Sequence, residues 1–141
     1  MSYNRVNWID YPDKATPINA TNLNIMDKGI SDLWTSNTKD VTVQYGSARS
    51  TISFTKVGRI VCSSQFSIQA EITTSSWQEI GLLPNGFTPM YNFSTYAENI
   101  VSGINPPQIR LSTDGKIYIA KYSSSGLQDW YFQIPIYISN K

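Results

Sequence analysis

The sequence predicts a mainly β protein, with one short N-terminal helix followed by an antiparallel β-barrel or sandwich. Three observations predict it. From Val41 onward, apolar residues recur at every second position, as they do on half-buried strands. Gly58, Gly86, Gly115 and Gly126 fall in or near the breaks, with Pro, Ser and Asn beside them, and many short strands joined this way form sandwiches or barrels. Before Val41 the period is different. Leu23, Met26, Ile30 and Leu33, with Asn37 next, follow a 3-4-3-4 spacing, which is that of a helix.

Residues 1–18 read as an extended, polar attachment segment, because Pro12 and Pro17 keep a helix from starting earlier. Residues 19–39 read as a helical neck, with Thr21 or Asn22 able to cap it. Two heptads do not hold a helix in water alone, and Gly29 weakens it further. The seam must be buried against either the chain's own β body or copies of itself. Its narrowness favours copies, since a helix lying on a sheet shows a wider apolar face.

Residues 40–141 read as the β head, with strands expected at 41–45, 50–57, 59–72, 77–82, 90–97, 109–112, 116–122 and 130–139. In the third strand, Ile60, Cys62, Phe66, Ile68 and Ala70 alternate onto one face, so the sole cysteine is expected to be a small buried residue. In the last, Trp130, Phe132, Ile134, Ile136 and Ile138 share a face. Pro135 cannot donate to a ladder, so that strand is an edge or bulges there. The hairpin "QIRLSTDGKIYIAKY" permits a register argument. A two-residue Asp114-Gly115 turn would pair inward Leu111 with outward Tyr118. A three-residue loop, Thr113-Asp114-Gly115 with Gly115 left-handed, pairs Leu111 with Ile117 and Arg110 with Tyr118. The second is consistent. It sends Gln108, Arg110 and Tyr118 outward together, with Ser112, Lys116 and Ala120.

Lys plus Arg number 11 and Asp plus Glu 10, so there is no clustered positive field to capture nucleic acid or an anionic membrane. Charged residues are 15% of the chain, and Ser, Thr, Asn and Gln take their place. Such a surface suits carbohydrate contact or burial in an assembly. The N-terminus has no apolar leader and no run is long enough to span a bilayer, so a chain made in the cytoplasm without membrane insertion is expected. The absence of histidine removes Ser-His-Asp and Cys-His systems and most zinc sites. Glu71, Glu79, Glu98, Asp114 and Asp129 are scattered singly, which does not make a glycosidase pair. No enzyme, cofactor or metal is expected. The remaining resource is aromatic: Tyr118, Tyr122, Trp130 and Tyr131 cluster near Arg110 and Gln108, where rings could stack on a sugar.

The segment "NWIDYPDKATPINATNLNIMDKGI" resembles one common at the N-termini of tail-fibre and baseplate proteins from phages of Gram-positive bacteria. The motifs "KVGRIVCSSQFSI", "SSWQEIGLLPNGFTP" and "IRLSTDGKIYI" make the C-terminal body similar to the head domain of receptor-binding proteins of lactococcal-type siphophages. The resemblance implies a virion protein, a homotrimer with a helical neck formed by Leu23, Met26, Ile30 and Leu33. It implies a β-barrel head that binds cell-wall saccharide, and an N-terminal segment held by other baseplate proteins. The family's ligand site uses a His-x-Asp before the hairpin and a Trp after it. The matching positions here are Gln108, Arg110 and, at or near it, Ala120. None of the three is retained, and Arg110 in place of Asp turns the expectation toward a different saccharide, anionic ones included. The expected binding surface is therefore the outer face of the hairpin: Gln108, Arg110 and Tyr118, with Tyr122 and Trp130 as stacking walls. A structural baseplate adaptor and a carbohydrate-binding module cut from a larger enzyme are the competing readings.

Overall fold

A computed structural model describes residues 20–98, 105–120 and 127–141. The predicted attachment segment 1–18 and Tyr122 lie outside the described residues. The fold is mainly β, with antiparallel sheets and one short helix, α1 (Ala20–Trp34). The helix is shorter than the expected 19–39. After Trp34 the sequence turns to Thr, Ser and Asn, which favour extended or turn conformations, and β1 (Ser36–Tyr45) begins at once. Since α1 starts at Ala20, Thr21 and Asn22 lie inside its first turn rather than at its cap.

The remaining strands are β2 (Ala48–Val57), β3 (Ile60–Ser63), β4 (Phe66–Ala70), β5 (Gln78–Leu82), β6 (Phe93–Tyr96), β7 (Gln108–Leu111), β8 (Lys116–Ala120), β9 (Gln128–Phe132) and β10 (Tyr137–Ile138). They form three sheets, in the orders β1-β2-β3-β10, β4-β9 and β5-β8-β7-β6. No closed barrel forms among the described residues, which corrects that half of the expectation; the arrangement is sandwich-like. One core lies among the sheets, and Phe54, Phe132, Trp130, Ile109 and Ile117 are fully buried in it. Phe66 and Phe132 face each other across the β4–β9 ladder with ring centroids 5.4 Å apart.

The chain passes between the first two sheets twice, and each passage flips the side-chain parity. Between β3 and β4, Ser64 leaves the ladder: its N–H donates to Ser53 O (2.8 Å), and the Ser53 N–H donates to Ser64 Oγ (3.0 Å). Val61 and Phe66 both point inward across this break, so Ile60 and Cys62 point outward. Cys62 is thus exposed, contrary to expectation. Between β9 and β10, Pro135 ends one ladder before the next starts. Ile134 is buried on one side of it and Tyr137 on the other, leaving Ile136 and Ile138 exposed. Tyr137 donates its hydroxyl to Phe87 O (2.7 Å), which fastens β10 to the Pro84–Phe87 turn, closed by Phe87 N–H to Pro84 O (3.0 Å).

The edges β1 and β5 approach closely. A Cβ on Gly81 would lie 3.1 Å from Val43 Cγ1 and 3.2 Å from Thr42 O. Glycine is what allows the two sheets to meet there.

Candidate binding site

The β7–β8 hairpin has the register that parity required. Ile109 pairs with Ile119, Arg110 with Tyr118 and Leu111 with Ile117. The loop is Thr113-Asp114-Gly115: Ser112 and Lys116 close it (N–H to O, 3.0 Å), and Gly115 has φ 84°. A positive φ suits glycine because a Cβ there would crowd the backbone. Ile109, Leu111, Ile117 and Ile119 are buried, and Gln108, Arg110 and Tyr118 emerge half-exposed on the opposite face.

Arg110 is the centre of this face. Its guanidinium carbon lies 4.4 Å from the centroid of Trp77 and 5.0 Å from that of Tyr118. Both contacts place a cation over the electron-rich face of a ring. Among the described residues Arg110 has no carboxylate partner, and its Nε is buried without a hydrogen bond. The rings fix the charge in place without a direct carboxylate contact among the described residues.

The surroundings fix the rings in turn. Tyr118 donates its hydroxyl to Asp114 Oδ2 (3.1 Å). Lys116 N–H donates to Asp114 Oδ1 (3.0 Å), and this bond, aided by those from side chains, holds the Asp114 carboxyl below its ordinary value. Loss of hydration, then the bond to Asp114, raises the Tyr118 phenol. Lys116 Nζ lies 2.8 Å from Glu79 Oε2, and that ion pair raises the Lys116 ammonium. Lys116 is thus paired with Glu79, whereas Asp114 takes hydrogen bonds from neutral donors only, so Arg110 and Asp114 are opposite charges on one face that both touch Tyr118. Opposite β7, Ser94 pairs with Arg110 and Tyr96 with Gln108, and Tyr96 is well exposed.

Two expected residues change. Trp130 is fully buried, with its indole Nε1–H donating to Ala70 O (3.1 Å). It belongs to the inward parity of β9 and cannot stack on a ligand. Ala120 is also fully buried although parity sends it to the outer face, so the surface closes at that end of β8. Sequence reasoning missed Trp77 and Tyr96. Trp77 precedes a register irregularity between Glu79 and Gly81, which breaks the parity that would have assigned it. Tyr96 was within reach, because alternation along β6 places it opposite Gln108.

No family profile, curated protein or solved structure matches this chain. The site is judged on its own geometry. A larger cleft, of about 780 Å³, lies where β1 meets β5 and is lined by Asp40, Gln44, Gln78 and Glu79 among others. It has no aromatic lining residue on which a sugar ring could stack. Among the described residues there is no cluster of potential metal ligands, and no helix is long and apolar enough to cross a membrane.

Proposed function

We propose that this chain is a phage tail or baseplate receptor-binding protein that attaches to host cell-surface saccharide and acts as a homotrimer without enzymatic activity. The observation that carries the reading is Arg110, held over Trp77 and Tyr118 with no carboxylate partner among the described residues. Aromatic faces offer an apolar platform to the C–H side of a sugar ring, and a guanidinium offers fork-shaped donors to its oxygens. Gln108 and Tyr96 extend the platform with an amide and a further phenol. A guanidinium fork takes carboxylate and phosphate oxygens as well as hydroxyls, so anionic saccharides are included among the ligands.

The resemblance of the N-terminal segment and hairpin motifs to phage tail proteins supports the biological setting. The helix supports the assembly. Of the seam residues, Met26, Ile30 and Leu33 are 42–64% exposed and Leu23 is half-buried, whereas Asp27 is buried. An apolar helix side facing water in a single chain is what a neck bundle of copies would cover. A structural adaptor would share that helix, and the two readings separate on cell-wall binding. Labelled full-length protein should bind Gram-positive cell walls, and soluble cell-wall polysaccharide should displace it. Absence of binding, or binding that polysaccharide does not displace, would count against the reading.

A further inference from the structure

The cleft between β1 and β5 adjoins the Arg110 face along the chain. Trp77, whose ring carries the guanidinium, is followed at once by Gln78 and Glu79, and both line the cleft. It adjoins that face across the sheet as well. Glu79 pairs with Tyr118, and Tyr118 with Arg110. The lip of the cleft therefore stands one strand from the tyrosine and two from the arginine, about 5 and 10 Å at ordinary strand spacing.

The lining is polar where it meets solvent. β1 turns Asp40, Thr42 and Gln44 away from the core, because Val41 and Val43 between them are buried, and all three line one side. Gln78 and Glu79, both exposed, line the other. β1 and β5 are each the edge of their own sheet, so each also presents backbone N–H and C=O groups that no neighbouring strand of that sheet takes. None of the described lining residues is a cation. Glu79 is matched by Lys116 outside the cleft, and Asp40 accepts from the Ser53 hydroxyl (2.7 Å). Carboxamides donate and accept, and carboxylates accept, so a neutral unit rich in hydroxyls suits this lining. An anionic unit would meet two carboxylates.

We infer that the cleft is a second saccharide subsite, which takes a neutral, hydroxyl-rich unit of the same polymer whose neighbouring unit lies over Arg110, Trp77 and Tyr118. The inference rests on the saccharide reading given above. A chain that crosses the strands from Arg110 past Tyr118 meets Glu79 next and then the cleft. The two subsites differ in chemistry. The platform has rings and a cation, and holds its unit by stacking and by a guanidinium fork. The cleft has no aromatic residue among its described lining and holds its unit by hydrogen bonds. Its volume of about 780 Å³ lies within the roughly 300–1,000 Å³ of small-molecule sites. A polymer is thus read at adjacent units, and length becomes part of recognition.

The probe is soluble Gram-positive cell-wall polysaccharide, cut into fragments sorted by length, with the full-length protein. Affinity should rise about tenfold or more from the shortest fragment that binds to the longer ones. Gln44→Ala/Gln78→Ala removes two exposed side chains from the cleft, and its circular dichroism and unfolding temperature should match the parent. It should bind the longer fragments roughly tenfold more weakly and the shortest as the parent does. Arg110→Ala/Tyr118→Ala should weaken every length. A parent whose affinity is independent of length would overturn the cleft subsite and leave the platform. So would a cleft variant that keeps the parent's length dependence or weakens every length alike. Absence of binding at every length would overturn the saccharide reading itself, and the subsite with it.

Discussion

Arg110 and Cys62 show what a single residue's pattern can and cannot predict. Arg110 was legible because Ile109 and Leu111 flank it and Asp114-Gly115 sets the loop, so local alternation and turn chemistry agree. Cys62 was not, because the parity change at Ser64 has no Gly or Pro to mark it and depends on hydrogen bonds to Ser53, eleven residues earlier. Trp130 was read as a stacking wall from its aromatic character, whereas its inward parity on β9 decided its place. Asp114 gives a test at this scale. A carboxyl held below its ordinary value stabilises the folded chain above that value, and the contribution is lost as pH falls through the folded pKa. Asp114→Asn should therefore flatten the fall in unfolding temperature below about pH 4. An unchanged acid limb in a pH series of thermal melts would show that the Lys116 N–H bond contributes nothing to this dependence.

Among the elements, the β7–β8 hairpin and the helix were readable because each has one uninterrupted period. The long strands expected at 59–72 and 130–139 each divide in two, since each leaves one sheet for another partway along. Pro135 announced one division and nothing announced the other. Sheet edges are also invisible to periodicity, which is why the contact between β5 and β1 at Gly81 emerges only in three dimensions. Gly81→Val should push against Val43 Cγ1 and the Thr42 carbonyl, 3.1 and 3.2 Å from the position of its Cβ. A backbone oxygen cannot rotate away, so a loss of about 1–3 kcal/mol is expected in denaturant unfolding. Gly29→Ala, with nothing within 4 Å, should stabilise α1 by roughly 0.5–1 kcal/mol. Equal effects at the two positions would contradict the close approach of the sheets.

The whole molecule combines an apolar helix side that its own head leaves exposed with a polar, aromatic face at the hairpin. On the proposed reading the first meets copies of the chain and the second a saccharide, and the two roles can be separated by mutation. Ile30→Asp should convert an assembly of about 48 kDa, three times 15.9 kDa, into single chains, because like charges would be desolvated together at the seam. A parent already at the single-chain mass would contradict the neck. The most direct measurement concerns the ligand face: binding of labelled, full-length protein to Gram-positive cell walls, compared with an Arg110→Ala/Tyr118→Ala variant of matching fold and mass. A charge-assisted hydrogen bond from Arg110 is worth about 1.5–3 kcal/mol, so the variant should bind roughly tenfold or more weakly. Undiminished binding would reduce Arg110 and Tyr118 to a cross-strand pair, worth less than about 1 kcal/mol, that merely covers the sheet.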